Sequence, residues 1–461
     1  MKFRLFLLIC FLSTGFSVSV QAVSLPAIFG SHMVLQQNSN VQLRGWGKPL
    51  EKITITTSWS SDTLRTEADN QANWSLMLNT PEAGGPYTIK VEGYNTLVLE
   101  DVLIGEVWLL SGQSNMEWTP RGGLKGGEEE VKNANNQQLR LFVVTHRTAS
   151  SPNYDVDGHW MVCSPETVMD FSAVGFFFGN RLQQQLECPI GLICSAWGGT
   201  PVEVWMPQDE IQQNDRLREG AAKLKPVPWG PIEPGRTYNA MIAPLMPLPL
   251  AGTLWYQGEA NTENPATYEA MLKTMIHSWR AGFGSEFPFY FAQIAPWNGY
   301  GGDSGVEIRD AQRRVMAEPG TGMVVVSDVG DTIDIHPRNK VAVGERFANL
   351  ALNRTYGRTD LTYSGPLFSG FHVEKNKVTV NFDFAQGLKA TGPLNQFEVA
   401  GADGKWYPAK ASIKNETVVL SSSKVKQPVQ VRYAWKNSTV PELFNGAGLP
   451  ASSFTSVDWI K

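Results

Sequence analysis

Between residues 41 and 102, short runs at 41–46, 53–57, 74–78 and 87–91 tend to alternate apolar with polar side chains, with Gly, Pro, Asn and Asp between them. A period of two marks strands with one buried face, and runs this closely spaced predict a small β-sandwich. Residues 378–382, 418–420 and 429–433 repeat the style and predict a second β module. Between these regions the period changes. Apolar runs at 107–110, 190–194, 253–256, 289–294 and 323–326 read as strands buried on both faces. Tyr268, Met271, Leu272, Met275, Ile276 and Trp279 fall at i, i+3, i+4 and i+7 spacing, the stripe of a helix packed on a sheet, and Val343, Phe347, Leu350 and Ala351 do the same. Strands alternating with such helices predict an α/β region with a mostly parallel sheet covered on both faces. Ligands then bind beyond the carboxyl ends of the strands. The expected division is 23–103 for a β-sandwich-like module, 104–355 for the α/β unit and 356–461 for a β-rich module.

Residues 1–22 have the text of a cleaved leader: Lys2 and Arg4, an apolar run from Leu5, and Val20-Gln21-Ala22 with small residues at the cleavage-type positions. The protein is therefore expected to be exported, periplasmic or secreted. After Ala22 no stretch approaches the ~20 apolar residues of a membrane-spanning helix. Cys10 leaves with the leader, and Cys163, Cys188 and Cys194 remain, an odd number that allows at most one disulfide.

The chain has 461 residues, 42% apolar and 18% charged, with 15 Trp, 22 Phe and 12 Tyr, ample material for more than one core. Lys plus Arg is 39 against 44 for Asp plus Glu, and no basic run occurs, so nucleic acid is not an expected partner. No cluster of Cys or His has metal-ligand spacing, so no metal and no cofactor are expected. Oligomeric state is not legible.

Polar clusters follow four of the buried strands. The first strand leads into Ser111-Gly112-Gln113-Ser114-Asn115, the second into Ser195-Ala196-Trp197-Gly198-Gly199-Thr200, and the third into Gln257-Gly258-Glu259-Ala260-Asn261. The strand at 323–326 leads through Asp328 and Asp331 to Asp334-Ile335-His336-Pro337. Acyl transfer needs this set. A serine hydroxyl is a poor nucleophile at neutral pH, so an imidazole must take its proton, and a carboxylate must hold the imidazole in the right tautomer. Ser114, His336 and Asp334 fit those roles, with Asp331 in reserve. The negative charge of the tetrahedral intermediate calls for fixed donors, and the amides of Ser114 and Gly199 with the side chain of Asn261 are expected to form the oxyanion hole. Gly198 and Gly199 are adjacent, so the donor of that pair stays open. His32, His146, His159, His277 and His372 follow no such cluster and are read as structural.

At these residues the sequence resembles the SGNH hydrolases, and within them the bacterial sialate O-acetylesterase-like carbohydrate esterases, with Ser114, Gly199, Asn261 and His336 as the eponymous four. Similar text runs through nearly the whole chain after the leader: Leu25-Pro26-Ala27-Ile28-Phe29, Met33-Val34-Leu35-Gln36, Gly112-Gln113-Ser114-Asn115-Met116, Trp197-Gly198-Gly199-Thr200-Pro201, Trp255-Tyr256-Gln257-Gly258-Glu259-Ala260-Asn261, Asp334-Ile335-His336-Pro337 and Gly448-Leu449-Pro450-Ala451. The resemblance implies a flavodoxin-like SGNH hydrolase domain flanked by β-sandwich-type modules, working without a metal and removing O-acetyl groups from sugars. Many members carry the acid three residues before the histidine. Ile333 stands there in this chain, the nearest carboxylates are Asp334 and Asp331, and Asp334 is preferred because a tight turn can fold an i, i+2 pair together.

An acetylated sugar or glycan suits an aromatic-rich pocket, because flat rings cover the apolar face of a pyranose. Trp118, Trp197, Trp205 and Trp297 lie near the loops concerned, and none is assigned as a subsite. Gln113, Glu259 and Arg309 are expected substrate contacts. The expected activity is a sialate O-acetylesterase working through an acyl-enzyme on Ser114. An acetyl xylan esterase shares the chemistry, and a noncatalytic glycan-binding protein is the alternative of another class.

Overall fold

The structure, a computed structural model, describes residues 23–460, so the expected leader at 1–22 lies outside the described residues. The central sheet holds β1 (Thr96–Gly112), β2 (Asn136–Val143), β3 (Trp160–Cys163), β4 (Ile190–Ala196), β5 (Gly252–Tyr256), β6 (Phe289–Ala292) and β7 (Thr321–Val324). Their order across the sheet is β7-β6-β5-β1-β4-β2-β3. Every neighbouring pair is parallel except β2 with β3. The sheet is thus mostly parallel, as the sequence predicts, and β2 and β3 extend it beyond the five strands expected. The last strand ends at Val324, although Val325 and Val326 stay buried past the ladder.

The helices that concern the site are α1 (Ser114–Glu117), α2 (Ala173–Leu186), α3 (Pro265–Phe283), α4 (Ser304–Val315) and α5 (Lys340–Arg354). Alternation along β1 sorts the two sheet faces. Val107 and Leu109 share a core with Trp255, Met271, Trp279, Phe289 and Ile308, the side of α3 and α4. Trp108 and Leu110 pack with Leu139, Phe176, Leu192, Tyr290 and Phe347, the side of α2 and α5. Both stripes read from the sequence, at Tyr268–Trp279 spacing and Val343–Ala351 spacing, are buried on these helices.

Strand β1 is 17 residues long and belongs to two environments. Its first part pairs antiparallel with Gly84–Glu92, and Val34–Gln36 pairs parallel with Leu103 to Gly105. Its last part runs between β4 and β5. The boundary expected at 103/104 therefore falls inside one continuous strand. The chain leaves β1 for β2 and β4 on one side and later for β5, β6 and β7 on the other. That reversal of direction opens a crevice at the carboxyl end of β1, where open α/β sheets bind ligands.

The last hundred residues form two four-stranded antiparallel sheets, one from Leu367–Glu374, Lys377–Asp383, Thr417–Ser421 and Lys410–Lys414, the other from Trp406–Pro408, Phe397–Ala400, Gln430–Tyr433 and Phe454–Thr455. Val380, Phe382, Phe397, Leu420, Val431 and Phe454 bury one another in a shared core. Cys163, Cys188 and Cys194 are free thiols. Among the described residues no helix is long and apolar enough to cross a membrane.

Candidate active site

The crevice at the end of β1 is shaped by close backbone approach. Gly112 has φ +130°, and a Cβ there would lie 2.3 Å from the carbonyl oxygen of Tyr256, so only glycine lets the ends of β1 and β5 meet. Gln113 N–H then donates to that same carbonyl at 3.0 Å, and the chain turns directly into α1 with Ser114 as its first residue. The N–H of Ser114 sits in the first turn, where a helix has no internal acceptor for it.

The loop after β7 brings His336 back over this turn. His336 Nε2 lies 2.9 Å from Ser114 Oγ although 222 positions separate them. On the other side of the ring, Nδ1 is 3.7 Å from Asp334 Oδ1, and the same oxygen accepts the backbone N–H of His336 at 2.9 Å. Asp331 is placed otherwise: its Oδ1 accepts the N–H groups of Ile333 and Asp334, which makes it the former of the turn. The ring of Trp118 stacks on the imidazole with centroids 5.1 Å apart. Burial, followed by the charge of Lys340, lowers the pKa of His336 from the ordinary 6.5; Asp334 opposes and Arg338 adds to the lowering.

The glycine loop after β4 faces the same hydroxyl. Gly198 N–H donates to Glu117 Oε2 at 2.6 Å and is thereby engaged. Gly199, at φ +73°, lines the cavity with Ser114 and His336, and a Cβ on it would meet Trp229 at 2.3 Å. Glu117 stands one helical turn from Ser114, so one carboxylate ties the glycine loop to the serine turn. Its other oxygen lies 2.8 Å from His146 Nε2, and the His146 ring lies flat on Trp197 with centroids 4.3 Å apart. Burial disfavours the His146 cation, but the hydrogen bond and charge of Glu117, with the carbonyl of Ala196, raise its pKa above 6.5. His146 thus belongs to the site, contrary to the expectation that it is structural. It follows β2, and recognition of residues 139–144 as a parallel strand would have exposed it.

Replacing Glu117 with alanine is expected to lower kcat about 10–100-fold with little change in KM, because the glycine loop loses the acceptor that fixes it. Steady-state kinetics check this, and an unchanged kcat would count against it.

Two expected site residues are corrected. Asn261 is fully buried, and its amide donates to Glu203 Oε2 at 2.8 Å and Asn264 Oδ1 at 3.0 Å. Its oxygen accepts from Gln257 Nε2 and from Val202 N–H. Both amide hydrogens are consumed inside the protein, so the side chain is not an oxyanion donor; it donates a hydrogen bond to the buried carboxyl of Glu203 and ties the Gly198-Gly199 loop's continuation to the end of β5. Asn261→Ala is expected to destabilise the fold by about 2–4 kcal/mol, since it leaves a buried carboxylate oxygen short of a donor. Chemical denaturation measures this directly. Arg309, expected at the substrate, is also fully buried and donates to Lys436 O at 2.6 Å, Asn437 O at 3.1 Å and Ser453 Oγ at 3.4 Å, which makes it a clamp between α4 and the C-terminal region.

Gln113 and Glu259 do line the cavity. Gln113 Oε1 accepts from Ala260 N–H at 3.2 Å, and Glu259 Oε1 accepts from Asn115 Nδ2 at 2.7 Å. Burial raises the Glu259 carboxyl, with Asn115 and Lys340 opposing. The cavity measures about 760 Å³, and Trp197, Trp229, Leu224, Val227 and Ile232 give it apolar walls. Of the other tryptophans near these loops, Trp205 is fully buried, and Trp297 donates to the carbonyl of Ile333, bracing the histidine loop. The arrangement sets a hydroxyl against an imidazole nitrogen, beside backbone N–H groups of Ser114 and Gly199 that have no acceptor among the described residues, in a cavity of sugar size.

Known proteins carry the same frame. The family described as carbohydrate esterase, sialic acid-specific acetylesterase, matches residues 104–353. The sialate O-acetylesterase of Homo sapiens is 30% identical over 92% of this chain and 90% of its own, and that of Rattus norvegicus is 30% identical over 94% and 92%. A carbohydrate acetylesterase from Xanthomonas citri superposes with a TM-score of 0.87 at 34% identity, over 95% of this chain and all of its own. A carboxylic ester hydrolase by fold and by kinship, the chain belongs to the sialic acid-specific acetylesterase family of carbohydrate esterases.

Proposed function

We propose that the protein removes O-acetyl groups from sugars, with 9-O-acetyl sialic acid as the substrate, releasing sialic acid and acetate through an acyl-enzyme on Ser114. The observation that carries this is the 2.9 Å contact between Ser114 Oγ and His336 Nε2 on the wall of a cavity lined by aromatic rings. His336 accepts the serine proton as Oγ attacks the acetyl carbonyl carbon. The N–H groups of Ser114 and Gly199 receive the oxyanion. Asp334, on the Nδ1 side, favours the tautomer with Nε2 unprotonated and stabilises the imidazolium that forms. Collapse of the intermediate expels the sugar oxygen, which takes the proton from His336, and leaves acetyl-Ser114. His336 then activates a water that frees acetate and restores the serine.

Trp197 and Trp229 supply flat faces for a sugar ring, Gln113 and Glu259 supply polar atoms for its hydroxyls, and Lys225, an exposed ammonium lining the cavity, supplies a counter-charge for a sugar carboxylate. The leader-like text at residues 1–22 supports export to the periplasm or beyond. Acetate release from 9-O-acetyl sialic acid, acetylated xylan and 4-nitrophenyl acetate tests the assignment. The highest kcat/KM is expected on the sialate ester. A preference for acetylated xylan would overturn the substrate, and glycan binding without acetate release would overturn the enzyme.

A further inference from the structure

Behind the serine and histidine lies a buried cation that the mechanism above does not use. Lys340 opens α5 with its side chain 1% exposed. Two costs attach to this placement: an ammonium is removed from water, and a positive charge stands at the end of a helix that already carries the positive pole. The protein returns one hydrogen bond, from Lys340 Nζ to Asn115 Oδ1 at 2.6 Å, and two ring faces, Trp118 and Tyr256, each with its centroid 5.7 Å from Nζ. Among the described residues no carboxylate makes an ion pair with it; Glu259 reaches it through Asn115. A lysine so poorly compensated is a poor stabiliser, which points to a role in the site.

Its neighbours are the working parts. Asn115 follows Ser114 directly, and its amide also donates to the carbonyl of Ile335 at 3.1 Å, the residue before His336. One side chain therefore joins the serine turn to the histidine loop, and Lys340 fixes which way that side chain faces. Trp118 carries the Lys340 ammonium against its ring and stacks on the imidazole as well.

We propose that Lys340 is a positioning residue for the Ser114–His336 pair: a buried ammonium that orients Asn115, and through it both catalytic loops, while its charge disfavours a second positive charge on the neighbouring imidazole. This rests on the proposed esterase mechanism. The charged and titratable groups around the two are Glu259 after β5, Asp334 and Arg338 on the histidine loop, Tyr256 at the end of β5 and Lys340 itself at the start of α5. Burial pushes Lys340 down to about 7, with Glu259 and Asp334 opposing, so in mildly acidic solution it is charged. It thus keeps His336 an unprotonated base where an ordinary imidazole would be filling with protons.

The test is the acid limb of kcat/KM on 4-nitrophenyl acetate for the wild type, Lys340→Met and Lys340→Gln. Both variants are expected to move the limb upward by about 0.5–1 pH unit, the shift that loss of a nearby like charge produces. Lys340→Met also leaves Asn115 Oδ1 without its donor and is expected to lose about ten-fold in kcat at pH 8, whereas Lys340→Gln retains an amide donor and loses less. A limb that stays in place in both variants overturns the proposal, and so does a loss equal at every pH, the mark of a merely structural residue. Should neither variant fold, NMR titration of His336 in the wild type decides: its ring signals are expected to show, besides their own midpoint, a second inflection near pH 7 where Lys340 loses its charge, and a single-step titration overturns the proposal. Acetate release that persists in Ser114→Ala would sink the proposed mechanism instead, and the titration of His336 would still judge Lys340 by itself.

Discussion

Ser114→Ala is expected to lower kcat/KM for O-acetyl ester hydrolysis by about 10⁴- to 10⁶-fold, to what the oxyanion donors and binding alone supply. The substitution removes the oxygen that lies 2.9 Å from His336 Nε2 on the wall of the cavity. The substitution is small and the position half-buried at the head of α1, where alanine is a good helix former, so thermal unfolding should be unchanged. Acetate release from the purified variant under single-turnover conditions provides the measurement. Retention of more than about a hundredth of wild-type kcat/KM would remove Ser114 from the mechanism.

His336→Gln is expected to cost about 10³- to 10⁴-fold in kcat, since glutamine can hold a hydrogen bond to the serine but cannot take its proton. The pH profile distinguishes this from a general defect. In the wild type, kcat/KM requires neutral His336, so activity falls as pH drops through the imidazole's pKa. That pKa is depressed from 6.5, chiefly by burial, which puts the fall below 6.5. In the glutamine variant the fall should vanish and the residual rate should climb with hydroxide concentration. A wild-type profile flat from pH 5 to 8, or a variant that retains the wild-type limb, would assign the limb to another group.

The carboxyl ends of the parallel strands were legible because buried runs of four to six mostly apolar residues leave few other readings, and each expected cluster does follow a strand. Ser114 and His336 could be paired on that basis. Asn261 could not be placed, because an asparagine after a strand reads the same whether its amide faces a cavity or a buried acid. Its true partner, Glu203, is a lone charge in an apolar stretch, a signal in itself for a paired buried carboxylate. Arg309 was misread for a different reason: the carbonyls that absorb it belong to residues 436 and 437, more than a hundred positions away. Of the two adjacent glycines, Gly198 has its N–H taken by the carboxylate of Glu117, a partner that sequence alone does not reveal. Lys340 carries no periodic signal, since a lysine at a helix start is ordinarily solvent-facing.

The 17-residue strand that ends at the serine turn also bears on how the protein can be cut and rebuilt. No hinge separates the antiparallel amino-terminal strands from the sheet that carries the nucleophile, so the two cannot melt as independent calorimetric units. Truncations that begin after residue 96 would strip hydrogen-bonded partners from a strand whose far end sets the attacking oxygen. Chimaeras that exchange the amino-terminal region must therefore join in the turn before this strand, keeping its register whole.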